Sequence, residues 1–410
     1  MSQERTTIDQ LFQQEFSKMV AVISRQFGLE HIETAEDIVS DTFLTAAENW
    51  AEKGVPENPA AWLYVVAKHK TLAHFRRGDV WQQKVLPAVK AGMDTEEAET
   101  DLDFSAQNIQ DSQLRMIFAI CNPAIASESQ IGLALRILCG FGIDEIAAAF
   151  LSNKETINKR LFRAKEKLRT ENIRMELPPE HMLDARLDNV LHIIYLLFNE
   201  GYYSRTQDVI LQKDFCLEAL RLGLLLTTFP VTAQPRTYAL IALMCFHASR
   251  FEARQQAGEE IVLYEEQDET LWDRELIAQG MQFLALSASG NSISSYHLEA
   301  RIALLHCQKE DTPEKWQEIL ALYNELLFIH YSPSAALNRT FALYKADGAK
   351  AALAEAEKLQ LEDNHFYWVL LGELNSKTDP AKAESHYRRA YALAQTVAEK
   401  EGILRAIKRL

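Results

Sequence analysis

Residues that make turns are scarce in this chain: 15 Gly and 11 Pro among 410 residues, beside an apolar fraction of 48%. Sheet-rich folds need more turn residues and fewer Ala, Leu, Glu and Lys, so the expected fold class is all-α with short loops. Cysteine is also sparse. Cys121, Cys139, Cys216, Cys245 and Cys307 are odd in number, far apart and never in a C-x-x-C pair, which argues against a disulfide framework or a zinc site and for reduced, buried thiols. No apolar run reaches the roughly 18 residues of a membrane helix. The opening MSQERTTIDQLFQQEF has no apolar core followed by a cleavage site, so a cytoplasmic protein with no membrane partner is expected. Catalytic signatures are missing as well: there is no P-loop, H-E-x-x-H, G-x-S-x-G or G-x-G-x-x-G. The expectation is therefore a non-enzyme with no catalytic, cofactor or metal-binding residues.

Positive charge is in deficit overall, with 43 Lys and Arg against 58 Asp and Glu for a net charge of -15. That balance argues against non-specific coating of nucleic acid. It leaves a local basic groove open, because exposed charges are screened beyond about 10 Å at moderate salt. Residues 1–177 carry 20 basic and 26 acidic side chains and the remainder 23 and 32, so neither half is basic. The asymmetry lies at a finer scale.

A chain of 410 residues exceeds one ordinary core, and two or three domains are expected. Leu11, Phe12, Phe16, Met19, Val20, Ile23 and Phe27 recur at helical spacing and predict a first helix ending at Gly28. A second helix is predicted from Thr34 as N-cap with Asp37 at the third position, Ile38, Thr42 and Ala46 following one face toward Trp50. A third opens at NPAAWL, with Asn58 as cap and Pro59 in the first position, and runs to Gly78. Residues 93–111 then carry seven carboxylates (Asp94, Glu96, Glu97, Glu99, Asp101, Asp103 and Asp111) and no Lys or Arg. Such a run repels itself and reads as a solvated linker, or as a polyanion that occupies a basic surface in place of nucleic acid.

A second helical block follows from Leu114 to about Arg174. Its stretch IDEIAAAFLSNKETINKRLFRAKEKLR, Ile143 to Arg169, holds seven Lys or Arg. Ile143, Ile146, Ala147 and Phe150 predict a short helix, and Leu151 falls in the turn. Ser152 with Glu155 caps a second helix, whose apolar stripe is Ile157, Leu161, Ala164 and Leu168. The pattern suits a helix-turn-helix whose outward face reaches base edges and phosphates; it also suits an ordinary solvated amphipathic helix. In the N-terminal block a basic helix end (Lys68, His69, Lys70, His74, Arg76 and Arg77) alternates with Trp62, Tyr64, Phe75 and Trp81. That composition fits phosphate contact with base stacking, with Trp62 and Val66 facing the core and Phe75 and Trp81 more open.

The order of an acidic-capped helix, NPAAWLYVVAKHKTLAHFRR, an acidic linker and TINKRLFRAKEKLR resembles bacterial RNA polymerase sigma factors of the extracytoplasmic-function group. LRMIFAICNPAIASESQIGLALRILCGF, IIYLLFNEGYY and the helical tail are similar to its subgroup with a tetratricopeptide-like C-terminal extension. The resemblance implies four parts. Residues 1–80 form a region 2-like domain, 81–111 an acidic linker, 112–177 a region 4-like helix-turn-helix domain, and 183–410 the extension. It implies that Glu36, Asp37 and Asp41 dock on the clamp helices of the polymerase's largest subunit, and that the flap is a further contact. Lys68, His69, Lys70, Arg76 and Arg77 would hold the −10 element; Lys154, Thr156, Asn158, Lys159, Arg160, Arg163 and Lys167 would hold the −35 element. The family pattern A-R-N-x-x-L-D-x-x-R-R meets His69 in place of Asn and Ala73 in place of Asp, so the −10 sequence does not follow.

In the tail, Ala383, Tyr387 and Ala390 echo Ala349, Leu353 and Ala356 at a 34-residue period, and Trp368, Leu371 and Gly372 match the W-x-x-L-G spacing of a tetratricopeptide helix. Earlier hairpins are expected at Tyr238–Tyr264 and Tyr296–Leu327. FNEGYYSR either exposes Tyr202 and Tyr203 where Gly201 ends a helix or buries them as a pair. The extension is expected to dock on the sigma-like domains and regulate them. Two alternatives stand beside the sigma factor: a one-component helix-turn-helix regulator with a ligand-binding helical domain, and a protein-binding scaffold. Only the first reading requires core RNA polymerase as a partner together with promoter DNA.

Overall fold

The computed structural model describes residues 2–77, 102–150, 152–202, 209–254, 262, 264–290 and 292–410. Among them there are helices and no strands, in two compact units, Met1–Thr206 and Gln207–Leu410.

In the first unit, α1 (Ser2–Phe27) buries Phe16, Met19, Val20, Ile23 and Phe27 and stops at Gly28, whose φ of +99° is open to glycine at little cost. A 3-10 turn at Leu29–His31 leads directly into α2 (Ile32–Lys53). Thr34 is therefore inside the helix and not its cap: burial of Leu29 and Ile32 anchors the start earlier. Ala35, Ile38, Val39, Thr42, Phe43, Ala46 and Trp50 form the inward face of α2. α3 (Pro59–Arg77) is capped by Asn58, whose Oδ1 accepts the Ala61 N–H at 3.1 Å. Phe75 is not open: it is 3% exposed and stacks on Phe27 at 3.8 Å. Trp62 is half-buried with its ring edge-on to Trp50.

The described residues resume inside the expected linker. Leu102 is buried, and α4 (Ala106–Ile120) begins behind the cap Ser105, so Asp111 is a helical residue paired with Arg115 and Arg25. From Leu114 to Ile120 nearly every side chain of α4 is buried, as befits a central helix. α5 (Ser127–Leu133) runs on through a π-helical stretch, Ala134–Leu138. α6 (Ile143–Ala149) and α7 (Lys154–Thr170) are the two helices expected from the Ile143–Arg169 stretch. α8 (Glu180–Tyr202) belongs to this unit: Arg186 donates to the Phe118 carbonyl, and Asn189 Nδ2 to the Cys121 carbonyl at 2.6 Å. It continues past Gly201, and Tyr202 is buried; Tyr203 lies outside the described residues.

The second unit contains α9 (Val209–Thr227), α10 (Pro235–Ala248), α11 (Arg274–Ser287), α12 (Ser295–Leu305), α13 (Pro313–Ile329), α14 (Pro333–Asp347), α15 (Ala349–Leu359), α16 (His365–Asn375), α17 (Pro380–Leu393) and α18 (Val397–Lys408). α10 packs on α11, so the hairpin expected to close by Tyr264 closes later in the chain, while α12 and α13 do pair. Ala352 and Ala356 of α15 and Ala383, Tyr387 and Ala390 of α17 are buried. Gly372 lets α16 meet α17: a Cβ there would stand 2.6 Å from the Tyr387 ring. All five cysteines are free and buried, and burial pushes the Cys121, Cys216 and Cys245 thiols up to about 12. No helix among the described residues is long and apolar enough to cross a membrane.

Candidate nucleic-acid and polymerase-binding surfaces

The α6–α7 pair is set by its caps. Glu145 accepts the Gly142 N–H at 2.6 Å ahead of α6, and Asn153 Oδ1 accepts the Thr156 N–H at 2.8 Å ahead of α7. The cap of α7 is thus Asn153 and not Ser152; neighbouring residues of equal capping power differ by one position. Leu151 lies outside the described residues. Ile157, Leu161, Ala164 and Leu168 bury one stripe, and at about 100° per residue Lys159 points directly away from it, with Phe162 and Arg163 on either side of Lys159.

Of the seven residues expected at the −35 element, Lys154, Thr156, Asn158, Lys159, Arg163 and Lys167 are exposed. Lys154 is paired with Asp144, Lys159 with Glu155, and Lys167 with Glu171, all exchangeable at the surface. Arg160 departs from the set. Its guanidinium lies 5.2 Å over the Phe150 ring and 3.2 Å from Glu128, and its side chain is 24% exposed. It staples α7 to its own domain. Sequence reasoning misses Phe162, which is 61% exposed amid the basic residues. An aromatic outside the apolar stripe of an amphipathic helix is the available signal.

On α3, His69 is exposed and Lys68 half-buried. Lys70 is turned onto α2, where it binds the Asp41 carboxylate, the Asp41 carbonyl and Thr45 Oγ1. Two residues expected on different partners thus neutralise each other. The side chains of Arg76 and Arg77, and Trp81 entirely, lie outside the described residues, as do Asp94, Glu96, Glu97, Glu99 and Asp101. Tyr64 is engaged from two sides, its hydroxyl by Glu15 and its ring by Phe104, stacked at 5.0 Å and 5°. Burial, helped by Glu15, pushes the Tyr64 hydroxyl well above the usual tyrosine range.

α2 has two acidic faces of opposite character. Asp37, Asp41, Leu44 and Glu48 form an exposed stripe, Leu44 being 63% exposed. Glu36 is not on it. The residue is 5% exposed, accepts from Arg136 Nε at 3.0 Å and Lys165 Nζ at 2.5 Å, and is unavailable as a surface contact in this state. The helical wheel already carries the signal, since Glu36 falls beside Phe43 at the border of the apolar arc and Asp37 and Asp41 fall opposite. Among the described residues no cluster of three or more His, Cys, Asp or Glu is placed to hold a metal.

Residues 12–80 match the model of sigma-70 region 2, and residues 186–288 match a family of unknown function (DUF6596). The uncharacterized protein R00370 of Rhizobium meliloti (strain 1021) is 34% identical over 377 residues, 90% of this chain and 88% of that protein. This chain belongs to the family of R00370. Like a sigma factor it carries a sigma-70-type N-terminal domain, α1 to α3. The RNA polymerase sigma factor YlaC of Bacillus subtilis (strain 168) is 24% identical over 165 residues, which is 40% of this chain and 91% of YlaC. The R00370 family member described here is thus a distant homologue of sigma factors, which are non-catalytic regulators, in agreement with the expected absence of enzymatic activity. No solved structure matches the chain.

Proposed function

We propose that this chain is an alternative sigma factor of the extracytoplasmic-function type that acts in the cytosol, binds core RNA polymerase and directs promoter recognition. The observation that carries the reading is the sigma-70 region 2 match over residues 12–80, together with the exposed Asp37, Asp41, Leu44 and Glu48 stripe on α2. In this reading residues 1–80 dock on the largest subunit's clamp helices and hold the −10 element, and 112–177 hold the −35 element and contact the flap. The C-terminal helical repeats, tetratricopeptide-like in the Gly372 and Tyr387 crossing, regulate those domains. Lys159 and Arg163 reach bases or phosphates, with Phe162 as an apolar neighbour; Arg160 has a structural task.

Core-polymerase binding tests the reading. Asp37→Arg with Asp41→Arg leaves the inward face of α2 intact and is expected to weaken binding by tenfold or more in a polymerase pull-down or anisotropy titration. Wild-type affinity in that folded variant sinks the docking surface. Lys159→Ala with Arg163→Ala is expected to cost about 1–3 kcal/mol of promoter affinity for each side chain that reads a base edge, and less for one that touches phosphate alone. Unchanged promoter affinity sinks the placement of α7 in the groove.

A further inference from the structure

The buried acid on α2 joins parts of the chain that the sigma reading assigns to different promoter elements. Glu36 belongs to the region 2 helices, while Arg136 follows α5 and Lys165 lies on α7, separated from Glu36 by 100 and 129 positions in sequence. Each carboxylate oxygen takes one cation: Oε1 accepts from Arg136 and Oε2 from Lys165. Arg136 is fixed further by its Nη1 bond to the Phe141 carbonyl at 3.1 Å, with its guanidinium 5.4 Å over Phe16 of α1. Close to this triad Arg169 of α7 reaches Glu33 of α2 at 3.3 Å. Arg25 of α1 reaches Asp111 at 2.7 Å and Asn108 at 2.7 Å on α4. These contacts border the apolar packing of α1 on α4, and only the Glu36 triad and the Glu33–Arg169 pair join α2 to residues 112–177.

A carboxylate this buried is costly unless both oxygens stay paired, and removing one partner leaves an uncompensated charge. The triad therefore specifies one docked arrangement of α2 against α7. That arrangement is incompatible with simultaneous use of both modules. Elements centred near −10 and −35 lie roughly 25 base pairs apart, about 85 Å at 3.4 Å per pair, whereas α7 touches α2 directly here.

We propose that Glu36, Arg136 and Lys165 form an intramolecular latch that holds the two sigma-like modules closed on each other, and that polymerase engagement requires it to open. The latch rests on the sigma reading for its role and on the ion-pair geometry for its existence. It inverts the expected effect of Glu36: a direct polymerase contact loses affinity when neutralised, whereas a latch gains it.

The test uses the full chain with dyes on cysteines introduced at Ala47 and Thr170, exposed positions on α2 and α7. The native thiols are buried and labelled slowly. Energy transfer and core-polymerase affinity are measured for wild type, Lys165→Gln, Glu36→Gln, Glu36→Lys and the exchange Glu36→Lys with Lys165→Glu, which keeps two cations and one anion in the triad. Expected are a fall in transfer and a fivefold or greater gain in polymerase affinity for Glu36→Lys, smaller changes of the same sign for the Gln variants, and return toward wild type in the exchange. Unchanged transfer in variants of wild-type helicity overturns the latch, as does weaker or unaltered polymerase binding once transfer has fallen. Should Glu36→Lys not fold, Lys165→Gln gives the same two readouts. Failure of every form to bind polymerase overturns the sigma reading and the gating role with it, while the transfer values still decide whether the ion pairs close the modules.

Discussion

The seam inside the first unit and the helix crossings of the second are built from different materials. Across the seam a buried charge cluster, Glu36 with Arg136 and Lys165, and the pairs Glu33 with Arg169 and Arg25 with Asp111 are added to the apolar packing of α1 on α4. In the second unit, Gly372 admits the Tyr387 ring, and Ala352, Ala356, Ala383 and Ala390 are fully buried. A buried ion pair fixes a geometry while it stays closed and can be resolvated only when the elements part; a close apolar crossing gains nothing from water on parting. That buried charge is why the proposed change of arrangement is placed in the first unit.

The largest way to sharpen that contrast is Gly372→Leu, which drives a side chain into Tyr387. Overpacking of this kind is expected to cost about 3 kcal/mol, read as a lower unfolding midpoint of the second unit with the module-to-module transfer signal unaltered. Next comes pH. His306 is held down to about 3, first by burial and then by Arg250 and Lys315, so the folded state refuses a proton that the unfolded chain accepts near pH 6.5. A depressed folded value means stability is complete above pH 6.5 and falls as pH drops toward 3. At pH 5 the loss is about 2 kcal/mol, and His247 acts in the same direction. Denaturant unfolding of His306→Leu is expected to show a gap between pH 7.5 and pH 5 that is smaller by that amount. The smallest effect is Lys154→Ala, which removes an exposed pair with Asp144 and should change stability by under about 0.5 kcal/mol.

Much of this is legible in the sequence because periodicity records what each helix buries. Ile157, Leu161, Ala164 and Leu168 form the predicted stripe, and Asn58 caps α3 as its position before Pro59 implies. Boundaries blur where several residues have similar capping power, as with Ser152 and Asn153, or where burial of Ile32 overrides a cap at Thr34. The site is harder. Periodicity sets Glu36 at the border of the apolar arc, apart from Asp37 and Asp41, but says nothing of which distant cations come to meet it. Lys70 and Asp41 read as belonging to different partners for the same reason. Phe75 reads as open because its stacking partner, Phe27, lies two helices earlier.

Binding of the purified full chain to core RNA polymerase, titrated with and without the Asp37→Arg and Asp41→Arg pair, tests the central claim most directly. The account predicts saturable binding that another sigma factor displaces and that the double variant weakens by tenfold or more. Absence of binding at micromolar polymerase, or binding indifferent to both substitutions and to a competing sigma factor, would contradict it.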